Sequence, residues 1–267
     1  MNRHFVNMNS QRQEALSVWS SSLLSHSGPL HFFTRRTGGV SLPPFHTLNL
    51  GLTTQDEPQN VRNNRKRIEE KFGLLLRALA LQVHGGEVLV LKSAGELPSE
   101  NALPKADAIV SSAPGISLAM FFADCVPLYL WDPVKKAGGL AHAGWRSTIL
   151  DIGPHAIESL QQEFGTSLED IQVAIGPSIG PCCFQVGPEV AEEFREKFGD
   201  EVIEKKDGQF YVDLWKSNKL ALLKKGVKGG NIELAGECTS CRSDLYFSYR
   251  RDKGKTGRMA GVIQVPV

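Results

Sequence analysis

The sequence of 267 residues lacks an excess of either charge, with 30 Lys and Arg against 29 Asp and Glu. Without a basic surplus there is no general affinity for nucleic acid or an anionic membrane, so neither is expected as a partner. No stretch approaches the roughly 20 apolar residues of a membrane span. The first 27 residues are rich in Asn, Gln and Ser and broken by Arg3, Arg12 and Glu14, so they lack the apolar segment of a signal peptide. Cysteine is scarce: five residues, at 125, 182, 183, 238 and 241. That odd number suits reduced thiols or metal ligands better than a secreted disulfide framework, and a cytoplasmic location is expected. Walker A and G-x-G-x-x-G loops are absent too, so nothing points to a nucleoside triphosphate or a dinucleotide.

What is present reads as one α/β domain. Residues 1–28 are expected to form a loose lead-in and residues 29–267 a single catalytic domain, since no repeat, low-complexity tract or linker interrupts the latter. LHFFTRR (30–36) reads as a strand entering the turn Gly38-Gly39, and residues 58–72 as a surface helix with Val61, Ile68 and Phe72 at helical spacing. Short β-rich runs follow at 79–84, 87–92, 107–112, 117–123, 127–132 and 137–143, many of them apolar on both faces and therefore buried. A helix is expected within 145–164 despite Pro154, a strand at 171–177, and helices at 189–198 and 213–226. The last of these has Asp213 as N-cap and Gly226 as C-terminal stop. Strands at 232–236 and 258–265 are expected to close the sheet.

Three residues carry the chemistry: His84 in QVHGG, Cys125 in FFADCVPL and His142 in AHAGWRS. Each stands at a predicted strand end next to Gly or one residue before Val-Pro or Ala-Gly, which allows convergence on one rim of a sheet. Two imidazoles and one thiolate suit zinc and leave a fourth tetrahedral position open, as catalytic sites do. The same residues also fit a thiol nucleophile, Cys125, with His142 as its base. Asp124 either orients a ligand or caps the turn. Cys238 and Cys241 have C-x-x-C spacing, but the adjacent Cys182-Cys183 cannot easily chelate one ion with them, so these four are expected to be packing residues. Anion-binding candidates are Arg35 and Arg36 beside a glycine turn, Arg146 after His142, and the run Tyr249-Arg250-Arg251.

The strings TRRTGGVS (34–41), LNLG (48–51), QVHG (82–85), ADC-x-P (123–127), HAGWR (142–146), IGPSIGPCCFQV (175–186), Cys238-Thr239, FSYRRD (247–252) and TGRMAGVI (256–263) occur in one order. With them the chain, from about residue 30 onward, closely resembles the YfiH/YlmD-type laccase-domain family. The resemblance implies a single-domain α/β sandwich related to the cytotoxic necrotizing factor catalytic domain, with a mixed sheet and flanking helices. It implies a cytoplasmic purine nucleoside phosphorylase that splits adenosine, inosine or methylthioadenosine with phosphate, with adenosine deamination alongside. It places one zinc on His84, Cys125 and His142, which also serve catalysis; Arg36, Asn49, Arg146 and Arg250 are expected to contact substrate or phosphate. The family's older name, polyphenol oxidase or laccase, implies copper. The seven histidines (4, 26, 31, 46, 84, 142 and 155) include no two spaced as H-x-H, so a trinuclear copper cluster is excluded. A mononuclear His₂Cys copper site remains chemically open, as does a cysteine hydrolase or deamidase built on Cys125 and His142.

Overall fold

A computed structural model of the chain describes residues 15–77, 79–99 and 101–267. The chain runs through β1 (Val18–Trp19), α1 (Ser22–Ser25), β2 (Leu30–Thr34), α2 (Pro58–Phe72), β3 (Val88–Leu91), β4 (Ala108–Ser111) and β5 (Ser117–Phe122). It continues through β6 (Val126–Asp132), β7 (Ala137–Ala143), α3 (Trp145–Ile149), α4 (Ile152–Phe164), β8 (Gln172–Ile175) and β9 (Gln185–Val186). The last elements are α5 (Pro188–Phe198), β10 (Ile203–Lys206), β11 (Gln209–Val212), α6 (Leu214–Lys225), β12 (Ile232–Leu234) and β13 (Met259–Gln264).

Two sheets face each other and are covered outside by helices. The larger is mixed, with order β12-β8-β6-β7-β4-β3, and the smaller is antiparallel, β1-β2-β13-β5. Side chains alternate across each strand, so one strand feeds two cores. On β6, Leu128 and Leu130 meet Ile152, Ile157 and Leu160 of α4. Tyr129 and Trp131, on the opposite face, meet Phe33, Met120, Phe122 and Ile263 of the smaller sheet. The far face of that sheet, with Phe32, Ala119 and Val262, packs on Ile68 of α2. This α-β-β-α layering explains why so many strands are apolar on both faces: both faces are covered.

Most elements fall where the sequence places them. α2 and β7 have the expected bounds, and α6 begins after Asp213, whose side chain accepts from Lys216 N, and stops at Gly226 in a left-handed conformation. Four expectations need correction. First, residues 15–28 are not a loose lead-in. β1 pairs with β2, Trp19 and Leu24 are buried, and Glu233 accepts from the backbone N–H groups of Ser22 and Leu23 and from the Ser21 hydroxyl. The rest of that expected lead-in, residues 1–14, lies outside the described residues. Second, residues 79–84 form a loop with a single bridge, Leu81 to Lys105, rather than a strand. Third, the segment 145–164 is two helices. Asp151 takes a left-handed φ of 57° between them, and Pro154 sits harmlessly in the first turn of α4. Fourth, the strands at 232–234 and 259–264 do not close one sheet: β12 edges the larger and β13 lies inside the smaller. A third small sheet, β10-β11-β9, has no counterpart in the sequence reading, because its strands are short and largely polar.

Candidate active site

The β6–β7 pairing sets Pro127 opposite His142 and Val126 opposite Ala143. Cys125, one residue ahead of β6, therefore lies beside the end of β7 that carries His142. β4 runs antiparallel on the other side of β7, pairing Ala108 with Ala141, and the His142 N–H donates to Asp107 O at 2.7 Å. Register alone thus brings Asp107, His142 and Cys125 to one sheet rim.

His84 reaches that rim from a loop held at three points. Gln82 donates to Phe121 O and accepts from Phe121 N, both at 2.9 Å, so its amide extends the edge of β5. On either side of His84, the N–H groups of Val83 and Gly85 donate to Asp107 Oδ2 at 3.0 and 2.7 Å. His84 itself adopts φ 59°, an uncommon conformation for a non-glycine residue that turns its ring toward the others. The ring centroids of His84 and His142 are 4.9 Å apart, and His84 Nε2 lies 3.9 Å from Cys125 Sγ. One ligand atom from each of the three lies within 4.8 Å of the other two. Gly144 keeps this space open, since a Cβ there would come within 2.9 Å of the His84 ring and 3.2 Å of Cys125 Sγ.

Electrostatics prime the cluster. Buried Asp107 accepts from His142 Nδ1 at 2.9 Å, which fixes the proton on Nδ1 and frees Nε2 as a donor atom for a metal. Burial raises the Asp107 pKa, but the His142 bond and the two backbone N–H groups outweigh it and hold the carboxyl below its usual range. Burial would push the Cys125 thiol up, yet the charge and hydrogen bond of His142, with His84, bring it down to about 6. Burial likewise disfavours the His142 imidazolium, and Cys125 and Asp107 outweigh it, lifting His142 to about 9. The two shifts are mutual: a charged Cys125 and a charged His142 each favour the other.

The three residues sit on the floor of a cavity of about 670 Å³, a size that suits a small metabolite. Arg146 and Arg250 of the expected anion set line it. Arg146 stacks over Trp145 at 4.1 Å, and Arg250 donates to Gln185 O at 2.6 Å beside Phe184. Arg36 and Asn49 are not in the wall. Arg36 donates to the carbonyls of His46 and Ser243, and buried Asn49 binds Thr54, Asp56 and the N–H groups of Gly51 and Arg258, so both hold loops together. Asp124 points no oxygen at the triad. It accepts from Thr239 Oγ1, Ser248 Oγ and Arg250 N, tying the Cys125 turn to two later loops. Two residues escaped the sequence reading. Asp107 opens a strand whose register could not be read, and Arg258 lies inside the TGRMAGVI string but looks like a strand start. Arg258 lines the cavity and bonds its own chain's Thr256 and Gly257 carbonyls, and its burial, only partly offset by Cys125, lowers its pKa.

Residues 30–266 match the family model described as multi-copper polyphenol oxidoreductase laccase. The purine nucleoside phosphorylase YlmD of Geobacillus stearothermophilus is 40% identical over 94% of this chain and 96% of its own length. The purine nucleoside phosphorylase YfiH of Escherichia coli is 38% identical over 85% and 90%. Among solved structures, YfiH of Bacillus licheniformis superposes with a TM-score of 0.87 at 35% identity, covering 95% of this chain and 98% of that one. With the QVHG, ADC and HAGWR motifs meeting at one cavity, this chain belongs to the YfiH/YlmD-type laccase-domain family.

Proposed function

We propose that the protein is a zinc-dependent purine nucleoside phosphorylase acting on adenosine, inosine and methylthioadenosine, with adenosine deamination as a second activity. The observation that carries this reading is the floor of the cavity: three converging N, S and N donors below a wall holding Arg146, Arg250 and Arg258. The relatives' names support the phosphorylase class.

The donor set fits zinc: two imidazoles and a thiol already low enough to ionise, a second-layer carboxylate on His142, and room kept by Gly144. His84, Cys125 and His142 would hold the ion, which when bound supplies a Lewis acid and a water of lowered pKa. The chain's own groups do the rest. Phosphorolysis forms a bond from a phosphate oxygen to the ribose anomeric carbon as the bond to the purine breaks. Arg146, Arg250 and Arg258 hold and neutralise that phosphate with planar donors. Phe121, Phe184 and the exposed ring of Tyr249 offer aromatic walls for the purine. Asp107 keeps His142 in one tautomer throughout.

The low Cys125 pKa beside His142 favours one second reading, a thiol nucleophile acting on an amide or ester. One experiment separates the two: base release from adenosine and inosine, with and without phosphate, in zinc, copper and chelator. The expected result is phosphate-dependent release that chelator stops and zinc restores, and loss of turnover together with the zinc of this site in Cys125→Ala. No release under any condition overturns the phosphorylase reading, and a Cys125→Ala protein that keeps as much zinc per chain as the unsubstituted protein but has no activity points to the thiol.

A further inference from the structure

The four cysteines outside the active site come together, contrary to the expectation from their spacing. One sulfur each from Cys182, Cys183, Cys238 and Cys241 lies within 4.8 Å of the other three. Cys241 Sγ is 3.5 Å from Cys182 Sγ and 3.4 Å from Cys183 Sγ. Adjacent residues can share one centre here because the chain curls. Cys183 N and Phe184 N both donate to Gly180 O at 3.0 Å, forming a tight turn that presents both side chains to Cys241. The opposite loop is closed by Arg242 N donating to Cys238 O, and the loops are joined by a Ser178–Cys238 bridge and by Thr239 N donating to Ser178 O.

The geometry is that of a tetrathiolate cage rather than of disulfides. Four sulfurs at about 2.3 Å from a tetrahedral ion are about 3.8 Å apart, close to the separations seen, whereas a disulfide needs about 2.05 Å. Cys238 Sγ accepts from the Gly180 N–H at 3.2 Å, a donor of the kind that faces metal-bound thiolates. The surroundings also suit an anionic centre. Arg250 donates to Cys183 O, and Arg251 donates to Thr239 O and Ser240 O. Cys182 and Cys241 are exposed, which gives an ion a way in.

We propose that Cys182, Cys183, Cys238 and Cys241 form a second, structural zinc site that staples the loop after β8 to the loop after β12. All four tetrahedral positions are taken by protein, so the site holds structure and has no place for substrate. What it holds is the rear of the cavity: Ile179, Phe184 and Arg250 line the wall, and Thr239 bonds the Asp124 that precedes Cys125.

The test isolates this site by removing the other. In a His84→Ala/Cys125→Ala/His142→Ala protein purified with zinc, the expected result is one zinc per chain with four sulfur neighbours at about 2.3 Å by X-ray absorption. Cobalt should replace it with the absorption of a tetrahedral tetrathiolate, and adding Cys182→Ser and Cys241→Ser should remove the metal. A triple variant without metal, with four thiols open to alkylation, overturns the proposal, as does a mass showing disulfides among the four. If the variants do not fold, X-ray absorption on the unsubstituted zinc protein decides: one zinc with a single sulfur neighbour overturns it, and two zinc ions averaging more than two sulfurs each support it.

Discussion

Asp107 is the residue on which the active site turns. One carboxylate fixes the His142 tautomer with one oxygen and, with the other, clamps the backbone on both sides of His84, so two candidate ligands depend on it. Asp107→Asn keeps the volume and an acceptor for the amides but presents an N–H₂ to His142 Nδ1. The His142 proton is then driven to Nε2, where a metal would bind. Zinc affinity should fall by about 10- to 100-fold, as measured by competition with a chromogenic chelator, while the melting temperature hardly moves. Asp107→Ala should lower both, since the Val83 and Gly85 N–H groups lose their partner at about 1–3 kcal/mol each where buried. At this scale the sequence was informative about donor atoms and silent about their supports. Cys125 and His142 carry distinctive side chains at strand ends, and His84 carries one in a loop beside them. Asp107 reaches His142 through the β4–β7 register, which the sequence does not display, and Arg36 and Asn49 make hydrogen bonds between loops outside the cavity wall.

Among the elements, α1 is tied to the larger sheet by a single carboxylate. Glu233 at β12 accepts from the Ser21 hydroxyl and the backbone N–H groups of Ser22 and Leu23, all at the start of α1. Burial disfavours its charge, but those donors outweigh it and hold its pKa below the ordinary value. A depressed carboxylate stabilises the fold above its unfolded pKa, and the contribution is lost as pH falls through the lower folded value. Glu233→Gln should therefore cost about 1 kcal/mol at neutral pH, a figure that allows for solvent screening of a partly exposed group. Its difference from the unsubstituted protein should shrink as pH is lowered through the acidic range, in denaturant titrations followed by Trp19 fluorescence. Nothing in residues 15–28 announced this docking, because the polar Ser-rich run reads as loop and its partner lies far along the chain. The long apolar strands and α2 were legible because periodicity is local. β9 to β11 were not, because short polar strands at a surface carry no such signal.

Across the whole molecule, the two sheets are joined by their apolar faces and, among the described residues, by a buried polar contact. Tyr129 on β6 donates its hydroxyl to Phe32 O on β2 at 2.7 Å, and burial pushes its pKa well above the usual tyrosine value. Tyr129→Phe should lower stability by about 1 kcal/mol in thermal or denaturant unfolding, with the catalytic rate unchanged, because the ring still fills its place. The α/β class was readable from the order of apolar runs, but the division into two sheets was not. Strands of the two sheets alternate along the chain, and only the pairing of β13 with both β2 and β5 separates them.

That pairing also governs how the protein is made. β13 fills the gap between β2 and β5, yet it follows both at long sequence distance. During synthesis the smaller sheet stays divided, with two apolar strand edges open, until that stretch leaves the ribosome. Chaperone capture is therefore most needed late in translation, and ribosomes stalled before β13 would release chains prone to aggregate.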